Sequence, residues 1–524
     1  MAAVSSSYKK NLLITPFTMA ATISITILFA IGIACVEAFG IGITNRKHSL
    51  QSTHVQRVSR TIDTMASVFR PLVSSRKPEL KLMATSATTN NAIDSQHTET
   101  KNKIQLELKT WMFRNKFPIA YEVAKSTKNA NSNADDVEIV PILLLNGFGV
   151  GSFHQHSLMR QLLLLQQQQD EENERSSSSK REYVIYGIDY LGQGKSWPSN
   201  CNDGDSEDEL DLGYSADMWL DQLQGFIEEV ILPSSTSNSD NAEKKVHLVG
   251  NSVGGYLSTI LTSRIPTKIS SLTLMNATPV WGLNLPGWNG RLPAPPLPKI
   301  VGRTLFDVIR DLDTIDKYLE AAYVRREAFD GTYDDGFHRE CDGSVGASTT
   351  LGQKIRGCTM GKGGHAAFAS ILWSAPASEF DGEKLTSTPA DFYGTLETLP
   401  VDVLLLFGAD DPWCTPAVAK RMHTTLTDGG ENDENDGGRR NASWAQRYIS
   451  IQNVGHCPNH EAPHAVARVL SSWIDASSGR NEAPLVFDND QINEPWGVVG
   501  LREVSIEESR DLGLMDKIVS VVAS

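Results

Sequence analysis

Cysteine is scarce in this chain: six in 524 residues, at Cys35, Cys201, Cys341, Cys358, Cys414 and Cys457. They are scattered, with no C-x-x-C pair and no His/Cys cluster at metal-ligand spacing. A disulfide framework and a metal site are therefore not expected, and a reducing compartment fits best. Basic excess is also lacking. Lys and Arg number 48 against 63 Asp and Glu, a formal charge of -15, so nothing suggests nucleic-acid binding, which needs a basic face. No phosphate loop occurs. Gly149-Val150-Gly151 follows an apolar run, but the full G-x-G-x-x-G spacing is missing, which argues against a dinucleotide cofactor. No cofactor of any kind is expected, and no internal repeat is visible.

The acidity is local. Fifteen acids fall in three polar runs, 170–174, 203–211 and 428–436, so the rest of the chain is close to neutral. The wider stretches 166–181, 199–211, 234–245 and 427–443 cannot bury apolar area and are expected to be disordered loops.

The N-terminus reads as an address. Lys9 and Lys10 precede an apolar stretch from Leu12 to Val36, followed by small residues to Ala38. This has the parts of a secretory signal, expected over 1–38, although the stretch is long enough for a membrane anchor. Residues 39–100 are basic and hydroxyl-rich with few acids, the composition of a transit segment. Signal followed by transit segment is similar to the bipartite plastid presequence of algae with complex plastids, where Ala38-Phe39 matches the usual cleavage pair. That resemblance implies a plastid protein; secretion or membrane anchorage is the alternative.

Ordered sequence is expected from about 101 to 476. Two strands are read over 104–125. Apolar runs at 141–145, 183–188, 246–249, 272–275, 401–407 and 448–451 read as further strands, the last of these closing the series. Helices are expected at 216–231, 255–264, 416–426 and 461–475. Strands alternating with helices imply an α/β fold, a mostly parallel sheet covered on both faces. Residues 280–398 break the alternation with Pro, Gly and Trp and read as an inserted cap. The tail, 477–524, offers a short helix near 503–514 and no legible chemistry.

The chemistry is in the loops. Gly250-Asn251-Ser252-Val253-Gly254 follows the apolar run 246–249 and precedes a helix. Strand, tight turn and helix is the setting in which G-x-S-x-G presents a serine nucleophile. A serine hydroxyl needs a base to take its proton and an acid to orient that base, in the chain order Ser, Asp or Glu, His. Gly408-Ala409-Asp410-Asp411 follows the strand 401–407 and offers two acids. Gly455-His456-Cys457 follows the strand 448–451 and makes His456 the base candidate. His460 and His464, at the start of the next helix, read as surface residues, and His247 as a packed core residue. Donors for an oxyanion would be the backbone N–H of Val253 and one from the loop Asn146-Gly147-Phe148-Gly149, with Phe148 the candidate.

These motifs resemble the α/β-hydrolase family and, within it, the pheophytinases, plastid esterases that remove phytol from pheophytin. The likeness runs through Asn146 to His154, Ile188 to Gly194, Leu274 to Gly282, Asp411-Pro412-Trp413 and Gly455-His456-Cys457-Pro458, the loop from Asn146 and the run Asn276-Ala277-Thr278-Pro279 being more specific than the triad motifs. Asn146 and Val253 depart from the usual residues while keeping their backbone donors. The resemblance implies the α/β-hydrolase fold, Asp411 rather than Asp410 as the acid, and hydrolysis of a pigment's phytyl ester by a Ser-His-Asp acyl-enzyme mechanism. It implies a small-molecule pigment ester, pheophytin or chlorophyll, as the partner, with association at the thylakoid membrane. A chain of about twenty carbons, at ~0.8 kcal/mol per methylene, would supply much of the binding. Trp281, Phe368 and Trp413 are the expected pocket residues. Another carboxylic-ester, lipid or thioester hydrolase of this fold, or a ligand-binding protein that keeps its geometry, are the alternatives.

Overall fold

The computed structural model describes residues 103–127, 137–173, 180–198, 212–233, 244–282, 296–334, 337, 349–361, 363–428, 445–478 and 488–511. All lie in the unit Thr100–Ser524. The expected signal and transit segments, and most of the acidic stretches at 199–211 and 427–443, lie outside the described residues. Among those described, no helix is long and apolar enough to cross a membrane.

The apolar runs become strands: β1 (Lys103–Phe113), β2 (Phe117–Thr127), β3 (Val137–Leu145), β4 (Lys180–Ile188), β5 (Val246–Asn251) and β6 (Ile269–Met275). A small hairpin, β7 (Ser378–Phe380) and β8 (Leu385–Pro389), is followed by β9 (Asp402–Gly408), β10 (Gln446–Gln452), β11 (Asp488–Glu494) and β12 (Gly497–Glu503). Ten of these form one sheet in the order β1-β2-β4-β3-β5-β6-β9-β10-β12-β11. Its middle, β4 to β10, is parallel, while β1, β2, β12 and β11 add antiparallel edges.

Side chains alternate across a strand, so each central strand feeds two cores. Leu143, Leu248 and Leu405 pack with Trp219 and Val418 on one side; Ile142, Val249 and Leu404 pack with Leu162 and Trp473 on the other. The covering helices are α1 (His156–Asn173), α2 (Ala216–Phe226), α3 (Val253–Arg264), and, between β6 and β9, α4 (Pro296–Ile309), α5 (Leu312–Ala322), α6 (Leu351–Gly357), α7 (Gly364–Trp373) and α8 (Phe392–Glu397). After β9 come α9 (Pro416–Asp428), α10 (Pro458–Glu461), α11 (Pro463–Ser477) and α12 (Ile506–Arg510). Phe392 and Leu396 of α8 enter the core beneath the sheet, so the end of the expected insertion is part of the body.

Two expectations are corrected here. Residues 166–173 are helix, not disordered loop: α1 runs through them, and buried Gln166 donates to Arg181 O and accepts from Tyr183 N. Glutamine is a good helix former, and its amide reaches the neighbouring strand. Nor is 448–451 the last strand. β12 pairs with β10 and buries Val499 and Leu501, while polar β11 is held at the edge by its ladder to β12. Glu494 ties this hairpin to α11 by accepting from His464 N and Ala465 N.

The loop 146–152, beyond the end of β3, is fastened by side chains. Asn146 Nδ2 donates to Val150 O at 2.6 Å, and Gly149 N donates to Gln193 Oε1 at 3.0 Å. Ser152 N donates to Asp189 Oδ1 at 2.7 Å and Ser152 Oγ to Glu122 Oε2 at 2.7 Å. His156 Nε2 meets the same Glu122 oxygen at 2.6 Å. Burial raises the Glu122 carboxyl, but His156, by hydrogen bond and charge, and Ser152 outweigh it and hold it at about 2 against an ordinary 4.5. A carboxylate depressed in the folded state stabilises fully above its unfolded pKa, and the contribution fades as pH falls toward the folded value. Glu122→Gln is therefore expected to lower stability near neutral pH by about 3 kcal/mol. It should also flatten the loss of stability between about pH 4.5 and 2. Urea midpoints across that range check both; parallel curves for the two proteins would refute the pair's role.

Candidate active site

β5 ends in the turn that carries Ser252. The serine has φ 55° and ψ -120°, a conformation that a side-chain-bearing residue adopts only when its surroundings impose it. The flanking glycines serve close approach. A Cβ on Gly250 would meet Gly254 O at 2.4 Å, and one on Gly254 would meet Leu145 O at 2.6 Å. Helix α3 starts at Val253, so the first N–H groups of the helix, which lack intrahelical acceptors, begin beside the hydroxyl. Gly147 also lies close: its added Cβ would sit 3.7 Å from Ser252 Oγ.

Asp411 follows β9. Its Oδ1 accepts from Trp413 N at 2.8 Å and Cys414 N at 3.1 Å. Its Oδ2 accepts from Asn276 Nδ2 at 2.6 Å and meets His456 Nδ1 at 2.7 Å. Burial raises the Asp411 carboxyl, but the charge and hydrogen bond of His456, with these N–H donors, bring it below its ordinary value. An ionised acid at Nδ1 fixes the proton there and leaves Nε2 as the basic nitrogen. Asp410 is exposed. Cys414 comes within 4.8 Å of both Asp411 and His456, but burial pushes its thiol well above the ordinary range.

The histidine loop is braced from three sides. His456 N donates to Ala322 O at 2.7 Å, and Gly455 N to Glu461 Oε2 at 2.8 Å. Asn251 Nδ2 donates to His456 O at 3.1 Å and Met275 O at 3.2 Å, joining the serine turn to the histidine loop. Asn276, with φ 41°, also accepts from Gly408 N. The bracing by Asn251 and Asn276 was not legible in the sequence, although an Asn just after a strand is a residue that tolerates positive φ.

Ser252 and His456 line one cavity of about 440 Å³, with Phe148, Phe306, Phe368 and Trp413 among its walls. Phe148 packs on Phe368 at 5.5 Å. Trp281 is not in this wall. It is buried against Trp219 of α2 and Tyr256 of α3, with Nε1 bonded to Ser374 Oγ, because its large ring fills the seam between the insertion and these two helices. His460, expected at the surface, is also buried. It stacks on His154 at 5.3 Å and bonds Tyr323 OH at 3.2 Å. Burial lowers its pKa to about 4, so this cluster is neutral around pH 7. His247 is in the core as expected, bonded to Ser271.

The chloroplastic pheophytinase of Arabidopsis thaliana is 25% identical over 401 residues, 69% of this chain and 66% of that relative, just under two thirds of its length. Among solved structures, a thermophilic esterase from Thermogutta terrifontis is 16% identical over 72% of this chain and 99% of its own, with a TM-score of 0.40. The 2-hydroxy-6-oxo-6-phenylhexa-2,4-dienoate hydrolase of a Rhodococcus species is 14% identical over 71% and 99%, with a TM-score of 0.42. The sequence model of the alpha/beta hydrolase family matches residues 142–469. That is more than half of the chain, and it belongs to the alpha/beta hydrolase family.

Proposed function

We propose that this protein is a serine esterase that hydrolyses the phytyl ester of pheophytin. The observation that carries the hydrolase chemistry is the placement of Ser252, at a positive-φ turn, in one cavity with His456, whose Nδ1 is bonded to buried Asp411. Ser252 attacks the ester carbonyl as His456 Nε2 takes its proton. Asp411 holds the imidazolium that results. The N–H groups of Phe148 and Val253 receive the oxyanion. His456 returns its proton to the departing alcohol, and water repeats the cycle on the acyl-enzyme. The apolar cavity suits a long hydrocarbon chain of any ester; the pheophytinase relative directs the reading to a pigment. In the same reading, 1–38 is a signal, 39–100 a transit segment to the plastid, and 101–476 the hydrolase domain, with the tail beyond.

Three outcomes are expected with purified protein and pheophytin a. Ser252→Ala abolishes release of phytol, and unchanged turnover would remove the serine mechanism. Asp411→Asn lowers kcat by about 10³–10⁴, through loss of the required tautomer, with KM little altered. Asn146→Ala, which frees the loop bearing Phe148, lowers kcat by about tenfold, less than deletion of an oxyanion donor itself. An effect confined to KM would show that the loop serves binding alone.

A further inference from the structure

The cavity has two unlike parts. Its inner wall is buried and apolar, formed by Phe306, Leu319, Phe368 and Ile371. At its rim stand Tyr318 and Trp413, which also line it yet are 48% and 42% exposed. Their rings are 6.3 Å apart in an edge-to-face arrangement. Trp413 lies edge-on to the His456 ring at 4.8 Å, so the exposed aromatic ledge begins at the catalytic centre. Large apolar side chains left in water beside a cavity mark a binding surface rather than a core.

Size gives the second argument. A cavity of about 440 Å³ is in the lower part of the range that encloses a drug-sized molecule, roughly 300–1,000 Å³. A pigment ester joins a long chain to a flat macrocycle and exceeds such a molecule. One half must stay outside. The apolar inner wall matches the chain, and one exposed ring face flanked by a second, tilted ring matches the face and edge of a flat conjugated surface.

We infer that the substrate divides at Ser252: the isoprenoid chain enters the cavity, and the macrocycle stays at the mouth, stacked on the Tyr318 ring face, with the tilted Trp413 ring against its edge. This rests on the pigment-ester reading above. When the Ser252 Oγ–acyl bond forms and the bond to the chain oxygen breaks, His456 protonates that oxygen and the alcohol is left in the cavity. The acyl-enzyme then holds the macrocycle at the open side, where water reaches the ester.

The test separates the ledge from the reaction. The probe is pheophorbide a, the macrocycle without its chain, bound to the full chain and followed by quenching of tryptophan fluorescence. Tyr318→Ala, at an exposed position, is expected to raise its Kd about three- to tenfold, the size of one aromatic stacking contact. Tyr318→Phe, which keeps the ring face, should restore the wild-type value. Equal Kd in all three proteins, or no binding by the wild type, overturns the ledge. Wild-type turnover of pheophytin a is measured alongside. Ring binding weakened by Tyr318→Ala without any turnover would remove the phytyl-ester reading and support the ledge as a macrocycle site.

Discussion

The structure depends on one backbone constraint, the turn at Ser252. A residue with a side chain holds φ 55° only if its neighbours leave no alternative. Here they do so by contact. Gly250 packs against the first turn of α3, and Gly254 against the end of β3. Any Cβ at either place would push the helix from the sheet. The same packing sets the start of α3 beside the hydroxyl and brings the loop after β3 within reach of it. Thus Ser252, a helix N-terminus and a glycine loop meet for one steric reason.

Among the polar groups around that turn are two buried carboxylates, each paired with a histidine. Asp411 is surrounded by N–H donors and His456, while Glu122 is paired with His156 and Ser152 under the loop. A buried carboxylate survives only when its oxygens are satisfied. The neutral histidines nearby follow from the same rule: His154 and His460 have no carboxylate among their described hydrogen-bond partners, and burial drives both toward the uncharged form. The arrangement keeps the ionised acid at Asp411 and leaves the adjacent imidazoles as hydrogen-bonding groups.

Much of this was legible along the chain. The parallel strands showed as apolar runs because both of their faces are buried. Ser252, Asp411 and His456 stood out because each occupies a loop directly after such a run. Other features were hidden for physical reasons. β11 is polar, since an edge strand is held by its backbone ladder and needs no apolar face. Glu122 lies in an ordinary strand, and its meaning comes from His156 and Ser152, more than thirty and thirty residues away in sequence. Trp281 and His460 looked like a pocket wall and a surface residue; contacts with distant elements made the first a seam filler and the second a core group.

The sequence by itself determined the fold class and the order of the candidate site residues, because hydrophobic period and loop position are local properties. Only the tertiary structure decided that Asn251 joins the serine turn to the histidine loop, that Asn276 holds the acid, and that Tyr318 stands at the rim beside Trp413. Each of these relations spans elements far apart in the chain, and the burial that gives it strength exists only once the sheet has brought those elements together.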